Sequence, residues 1–256
     1  MNSIRALLLD IGNTRIKWGL AHGANLQRTG TVTHQKLRDA GIAALTTRLP
    51  RRVEQVLACN VAGNSVATKI SGIIHLHCDT DTHFVHPARS GYGITNAYGR
   101  PRRLGVDRWV AMIGAYAEFS AALCVIDAGT AVTIDAVDRK GKHLGGQIIP
   151  GLRLMQEALT SATDGIVISN KGSRSTLDGL NLFAKNTTAA VRNGTVSAVC
   201  GAIERSVRRL KKEGHRPRVI VTGGDAPRIL NQVDVKFDHR PNLVLQGLAY
   251  MSQSER

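Results

Sequence analysis

Two stretches of the chain share one pattern of apolar and polar positions. Residues 7–20 read LLLDIGNTRIKWGL, and residues 123–135 read LCVIDAGTAVTID. In both, an apolar run ends in an aspartate, passes through a glycine and a threonine, and continues as a second strand-like run. This pattern predicts two β-strands joined by a tight turn. Because one copy opens each half of the chain, we predict two duplicated domains, 1–117 and 118–256.

Alternation and helical spacing predict the other elements of the first half. In the second strand of the first hairpin, Ile16 and Trp18 alternate with Arg15 and Lys17, so Lys17 lies on the face opposite Trp18. A stripe of apolar residues predicts a helix over 107–119. Between them we expect a strand over 26–32, a helix over 35–49, a strand over 53–61, a helix over 64–70 capped by Asn64, and short strands over 73–77 and 83–85.

The second half is predicted to alternate strands with helices after its hairpin. A strand returns over 143–149, and Pro150 starts a helix to residue 159, because proline is favoured at the first helical position. Residues 161–176 are polar and predicted to be irregular. The remaining predicted elements are a long helix from about 186–188, a buried strand over 218–222, a short helix from Pro227 and a closing helix over 243–251.

Composition indicates a soluble globular protein, since 43% of the residues are hydrophobic and 21% are charged. No apolar run approaches the roughly 18 residues of a membrane span, so we expect no membrane association. The first strand begins without the charged and apolar regions of a signal peptide, and we therefore expect a cytoplasmic protein. The four cysteines are far apart in sequence and are expected to be reduced thiols.

The net charge of +15 would attract polyanions in general. The basic residues are nevertheless dispersed, with modest clusters only at 100–103 and 205–218. Aromatic residues make up 4% of the chain and leave little surface for base stacking. The charge pattern therefore favours a solvated basic surface over a nucleic-acid-binding surface.

The two glycine turns are candidates for phosphate binding. Glycine can adopt a positive φ and lets backbone N–H groups approach a phosphate, and the preceding aspartate can reach a divalent cation on that phosphate. Two such hairpins facing each other across a cleft would hold a nucleoside triphosphate. Either turn alone is more often an ordinary hairpin turn. The two matching copies favour the nucleotide interpretation.

Asp107 is a candidate catalytic residue in the first turn of the helix predicted over 107–119. A glycine-rich loop over 87–101 leads to it, and Arg108 follows it. An aspartate beside an arginine is suited to holding a hydroxyl substrate near a phosphate. An aspartate in a first helical turn can also cap the helix or complement its dipole, so both roles are open at this point.

Five segments together resemble the type III pantothenate kinase family, and they span nearly the whole chain in the family's order. They read DIGNTRIK at 10–17, YGRPRRLGVDRW at 98–109, DAGTAVTID at 127–135, GGQIIPG at 145–151 and TGGDA at 222–226. The resemblance implies an α/β fold of two duplicated actin-like, or ribonuclease H-like, domains with a nucleotide cleft between them. This is the architecture of the actin, sugar-kinase and heat-shock ATPase superfamily.

The resemblance also implies which residues bind ATP and cations. Asp10 would organise Mg²⁺ through the phosphates, and Thr130 would belong to the second phosphate loop. Asp127 would hold a monovalent cation, K⁺ or NH₄⁺. The first phosphate loop would comprise Asp10, Ile11, Gly12, Asn13, Thr14, Arg15, Ile16 and Lys17.

The activity implied is transfer of the ATP γ-phosphoryl group to the 4′-hydroxyl of pantothenate, the first step toward coenzyme A, by a homodimer. Asp107 would be the base. Thr187 or the adjacent Thr188 would also contact the substrate. The other residues implied to bind pantothenate are Tyr98, Gly105, Val106 and Arg108.

Two other functions remain open from the sequence. One is a regulatory protein of the same fold that lacks turnover and binds nucleic acid or an acidic partner. The aspartates Asp10, Asp107 and Asp127 are all present, which argues against it. The other is a different enzyme of the superfamily, such as a sugar kinase or a polyphosphate phosphatase.

Overall fold

A computed structural model of the chain describes residues 5–163, 165–166 and 182–254. The chain divides into two units, each containing one five-stranded sheet. Unit 1 comprises Met1–Ser120, Gly141–His143 and Asn242–Arg256, and unit 2 comprises Ala121–Lys140 and Leu144–Pro241. The chain passes from unit 1 to unit 2 after Ser120, returns to unit 1 for Gly141–His143, and ends in unit 1 with the C-terminal helix.

Unit 1 is built on a mixed sheet whose strand order is β3-β2-β1-β4-β5. β1 pairs antiparallel with β2 and parallel with β4, and its buried leucines form the centre of the core. The elements up to residue 119 are β1 (Arg5–Ile11), β2 (Arg15–His22), β3 (Asn25–Thr33), α1 (His34–Asp39), α2 (Ala43–Thr46), β4 (Gln55–Asn60), α3 (Asn64–Cys78), β5 (Thr82–Phe84), β6 (Ser90–Gly91), β7 (Ile94–Thr95), a 3-10 turn (Pro101–Arg103) and α4 (Val106–Phe119).

Unit 2 repeats the topology of unit 1, with the order β10-β9-β8-β11-β12. β8 pairs antiparallel with β9 and parallel with β11, as β1 does with its neighbours. The remaining elements are β8 (Leu123–Ala128), β9 (Ala131–Val137), β10 (His143–Pro150), α5 (Leu152–Ala162), α6 (Thr187–Lys212), β11 (Arg218–Thr222), α7 (Ala226–Ile229), β12 (Asp238–His239) and, packed in unit 1, α8 (Leu243–Ser254). The predicted duplication of an α/β unit is therefore confirmed.

Three predictions for individual elements of unit 1 are wrong. The helix expected over 35–49 is two short helices, because the chain between them takes a positive φ of 66° at Gly41. The strand expected over 73–77 is the second half of α3, where Ile70, Ile73 and Ile74 are buried at helical spacing. Gly63, not Asn64, is the cap residue of that helix.

The start of α5 also differs from the prediction. Pro150 is the last residue of β10, and Gly151 is the cap residue of a helix that begins at Leu152. Ser161 and Ala162, expected to be irregular, complete that helix. Residues 164 and 167–176 of the same predicted stretch lie outside the described residues. Within the part of the chain that the structure describes, no helix has the length and hydropathy needed to cross a membrane.

Candidate active site

The turn between β1 and β2 is held by hydrogen bonds on both sides. The Gly12 amide donates to the Arg15 carbonyl at 3.1 Å, and the His34 imidazole donates through Nε2 to the Gly12 carbonyl at 2.7 Å. Asn13, Thr14 and Arg15 are exposed. The sequence did not single out His34, because it lies 22 residues from Gly12, between the strand predicted over 26–32 and the helix predicted over 35–49.

The positive φ expected at the glycines of these turns is wrong. Neither Gly12 nor Gly129 has a positive φ. A Cβ at Gly12 would lie 3.3 Å from the Arg15 carbonyl oxygen, so the residue is in a tight but otherwise ordinary conformation. What the turn offers a ligand is therefore the exposed segment 13–15, beside a half-buried Gly12 whose amide and carbonyl are already hydrogen-bonded.

Asp10 lies at the end of β1, directly opposite Lys17 in the antiparallel register and beside Cys59 of β4 in the parallel register. The Cys59 thiol donates to Asp10 Oδ1 at 3.4 Å. Burial raises the pKa of Asp10 above its usual value, Lys17 and the Cys59 hydrogen bond lower it, and the charge of Asp107 raises it again. Asp10, Lys17 and Asp107 thus lie within electrostatic reach of one another. A desolvated carboxylate near a second carboxylate is an environment that favours a bound cation.

Asp107 lies in the first turn of α4, as predicted. The cap residue of this helix is Gly105, which offers no side-chain hydrogen bond. Asp107 Oδ1 accepts from the Arg108 amide at 2.8 Å and so satisfies one amide of the first turn. This hydrogen bond uses one acceptor position of the Asp107 carboxylate. A carboxylate can accept several more hydrogen bonds, so Asp107 can still bind a substrate group.

Arg108 is buried and contacts Tyr98. Only 5% of the Arg108 surface is exposed, and its Nη1 donates to the Tyr98 hydroxyl at 3.0 Å. The guanidinium carbon lies 5.8 Å from the centre of the Tyr98 ring. A buried guanidinium needs such polar and aromatic partners, because desolvation of an unpaired charge is costly. The structure therefore brings together two of the predicted substrate-binding residues.

Three residues that the sequence analysis missed hold Tyr98 in place. The Tyr98 ring stacks on the buried His143 ring with centroids 6.1 Å apart and planes 11° apart. Asn96 is buried, accepts from the Tyr98 amide at 2.9 Å and donates to two carbonyls of the same loop. Arg89 donates to the carbonyls of Tyr98 and Gly99. An asparagine next to Tyr98 in a glycine-rich loop is a usable sequence signal for Asn96, but nothing in the sequence connects His143 with Tyr98.

The turn between β8 and β9 in unit 2 is enclosed by backbone from two other segments. The Gly151 amide donates to the Thr130 carbonyl at 3.0 Å, and the Asp225 amide donates to the Ala128 carbonyl at 2.8 Å. A Cβ at Gly223 would lie 2.2 Å from the Ala128 carbonyl oxygen and 2.5 Å from Asp127 Oδ1. Three of the five segments quoted above, 127–135, 145–151 and 222–226, therefore meet at one turn.

Thr187 is the first residue of α6 in unit 2 and is exposed. Asn186 caps this helix, since its side chain accepts from the Ala189 amide at 2.9 Å. Thr188 follows in the same helical turn and is partly buried. Among the described residues, no group of three or more His, Cys, Asp or Glu side chains could hold a metal ion by itself.

Comparisons with known proteins agree on one family. The model of the type III pantothenate kinase family matches residues 6–209. The type III pantothenate kinase of Nitrosococcus oceani is 35% identical over 253 residues, which cover 96% of this chain and 93% of that protein. The type III pantothenate kinase of Methylibium petroleiphilum is 38% identical over 259 residues, which cover 94% of this chain and 96% of that protein.

A solved structure extends the likeness to the fold. The activator of the 2-hydroxyisocaproyl-CoA dehydratase from Clostridium difficile, with bound ADPNP, has a TM-score of 0.54 and 13% identity and covers 98% of this chain and 95% of its own. At this identity the likeness concerns the fold alone. The likeness agrees with the two five-stranded sheets of this chain. The predicted fold class, an actin-like architecture of two α/β domains, is therefore confirmed.

Proposed function

The chain belongs to the type III pantothenate kinase family, and we propose that it transfers the γ-phosphoryl group of ATP to the 4′-hydroxyl of pantothenate. The observation that carries the proposal is the grouping of Asp10, Lys17 and Asp107 within electrostatic reach in unit 1. Phosphoryl transfer depends mainly on positioning and on neutralising charge, and these three residues supply both. The regulatory alternative is less favoured, since it gives this grouping no role.

The first turn is proposed to bind the ATP phosphates. Residues 13–15 are exposed at this turn, and Lys17 provides a positive charge on the strand opposite Asp10. Asp10 would hold Mg²⁺ through the phosphates, and its desolvation beside Asp107 is consistent with a bound cation. When bound, Mg²⁺ would neutralise charge on the phosphates during transfer.

Asp107 is proposed to orient the pantothenate hydroxyl and to accept its proton. A weak base suffices, because the proton leaves late when the transition state is loose. Arg108 and Tyr98, joined through their hydrogen bond, would contact the substrate together with Gly105 and Val106. The stacking of His143 on Tyr98 would fix the ring before the substrate binds.

In unit 2, Thr130 is proposed to contact phosphate and Asp127 to hold K⁺ or NH₄⁺. Asp127 ends a buried strand and lies next to Gly223, where the space for a side chain is filled by backbone and by the Asp127 carboxylate itself. A partly buried carboxylate is stabilised by a nearby cation. We favour a monovalent ion over Mg²⁺ here, because Mg²⁺ requires near-ideal octahedral geometry.

We also propose a homodimer in which Thr187 takes part in substrate binding. α6 carries Gly194 and Gly201 seven residues apart, and both are exposed. A Cβ added at either position would meet no atom within 4 Å among the described residues. This open surface would allow close approach of a second copy. Light scattering should give about twice 27.5 kDa, and a strict monomer with full activity would remove the dimer from the proposal.

A panel of acceptors tests the function directly. Purified enzyme would be supplied with ATP, Mg²⁺ and K⁺ and with pantothenate, a hexose or no acceptor, and ADP release would be measured. The proposal predicts ADP release with pantothenate only. Release with the hexose would indicate a sugar kinase, and release without an acceptor would indicate a phosphatase. DNA retention at low salt with no kinase activity would support the regulatory alternative.

A further inference from the structure

Unit 2 contains a groove of about 910 Å³ between α6, β9 and β10 that none of the proposed ATP-, cation- or substrate-binding residues lines. Gly201, which belongs to the surface proposed for a second copy, is among the residues that line it. Its floor includes the apolar side chains of Ile134 and Ala136, and one wall is the glycine pair at 145–146 of β10. The opposite wall is the C-terminal half of α6. The two walls are joined by a hydrogen bond from Gln147 Nε2 to Ser206 Oγ at 2.9 Å.

The α6 wall is strongly basic. Arg205, Arg208, Arg209 and Lys212 line the groove and are all exposed. Their spacing of three and four residues places them on one face of the helix. The acidic residue lining the groove is Glu213, which pairs with Arg209 at 2.5 Å. Within the part of the chain that the structure describes, the other three cations have no carboxylate partner.

A helix end rich in lysine and arginine can simply complement the helix dipole. Lys211, on the same helix end but outside the groove, serves that purpose equally well. The dipole therefore does not explain why four cations gather on one face around a groove, where like charges three or four residues apart repel each other. An anion between them would remove that repulsion.

We infer that this groove binds a small anion carrying several linked phosphate groups. Residues 205–212 span about 10 Å along the helix axis at 1.5 Å per residue, which matches a row of three or four phosphates. Among the described residues, no aromatic side chain lines the groove, so these residues offer no surface for stacking bases. A second copy of the chain is disfavoured as the occupant of this end of α6, because its own basic residues would be repelled. The inference does not depend on the proposed kinase reaction.

Tripolyphosphate is the probe for this site, measured by isothermal titration calorimetry at 50 mM and 200 mM salt. All proteins would carry Lys17→Gln, which weakens phosphate binding at the turn between β1 and β2. The heat measured in the titration then reports mainly on the groove. The test variant adds Arg205→Gln and Arg208→Gln. The matched control adds Lys211→Gln and Arg216→Gln, which remove the same charge from exposed positions outside the groove.

The inference predicts that the test variant binds tripolyphosphate at least about tenfold more weakly than its parent, the scale of losing charge-assisted hydrogen bonds. The control should stay within about twofold, and affinity should fall as salt rises. If both variants bound tripolyphosphate equally weakly, the binding would depend on overall surface charge and not on the groove, and the inference would be overturned. No binding by the parent protein at 50 mM salt would also overturn it. Tighter binding of a single-stranded oligonucleotide that needs Arg205 and Arg208 would assign the groove to nucleic acid instead.

Discussion

The hairpins that open the two units repeat one backbone pattern but place different groups opposite the aspartate. In the first, Asp10 faces Lys17 across the strands; in the second, Asp127 faces Thr133. The second hairpin therefore has no positive charge at the position where the first has a lysine. Duplication kept the strand order of the sheets. The hairpin register shifted by one residue, and the chemistry of the two turns diverged.

The turns also differ in what holds them. His34 supports the first turn with its imidazole, and Cys59 supports Asp10 with its thiol. The second turn is held by main-chain bonds from Gly151 and Asp225. We expect the first hairpin to respond to changes of side-chain chemistry and the second to any added atom near its backbone.

The largest effect is expected from removing the cation that distinguishes the hairpins. Lys17→Ala should lower kcat/KM for ATP by about 10²- to 10³-fold, the usual loss when one preorganised charge-stabilising group is removed. Thr133→Ala is the matched change in the second hairpin and should stay within about threefold. Steady-state kinetics with varied ATP measures both. Losses of similar size would show that the hairpins are chemically equivalent.

Next in size is the effect of adding one carbon atom near the second turn. Gly223 has a φ of +100°, and its Cβ would lie 2.2 Å from the Ala128 carbonyl oxygen. Gly223→Ala should lower the free energy of unfolding by about 1–3 kcal/mol, as overpacking does. Gly12→Ala, whose Cβ would be 3.3 Å from the Arg15 carbonyl oxygen, should cost less than about 1 kcal/mol. Urea unfolding compares them, and equal losses would contradict the steric difference between the turns.

A moderate effect is expected at Asp127. Asp127→Asn should lower activity by about tenfold or more, the scale of one lost contact to a charged group. It should also blunt the response to K⁺, because the carboxylate would no longer attract the cation. Activity would be measured with K⁺ and with tetramethylammonium at equal ionic strength. A wild-type enzyme that works equally well in both salts would refute the cation site.

The smallest effect is expected at Cys59. Cys59→Ala removes the donor to Asp10 Oδ1 and should raise KM for MgATP by about two- to tenfold with kcat little changed, since one hydrogen bond contributes about 0.5–1.5 kcal/mol. Cys59→Ser keeps a donor and should restore KM. Cys124→Ala is a buried-cysteine control elsewhere in the chain. A Ser variant as impaired as the Ala variant would show that packing, and not the hydrogen bond, matters there.

Most of the fold could be predicted because the hydrophobic pattern determines which residues face a core. The two hairpins, α4, α6 and the strand over 218–222 lie where the pattern placed them. The predictions failed where two periodicities overlap in a short segment. The run IIHLH alternates like a strand, yet Ile70, Ile73 and Ile74 bury one helical face of α3.

The candidate site could be predicted only where its residues are close in sequence. Asp107, Arg108 and the loop with Tyr98 are neighbours along the chain, so a local pattern identifies them. His143 reaches Tyr98, and Cys59 reaches Asp10, through the packing of distant segments. A single sequence carries no signal for such contacts, because they depend on strand register and on how the chain returns to unit 1.

The proposed role of Asp107 is the central claim, and one substitution tests it. Asparagine caps a helix about as well as aspartate but cannot accept a proton. Asp107→Asn should therefore fold with a free energy of unfolding within about 1 kcal/mol of the wild type. If Asp107 is the base, the variant should lose about 10²- to 10⁴-fold in kcat for 4′-phosphopantothenate formation, followed by ³¹P NMR. A well-folded Asp107→Asn enzyme that forms the 4′-phosphate at a near-normal rate would contradict the assignment.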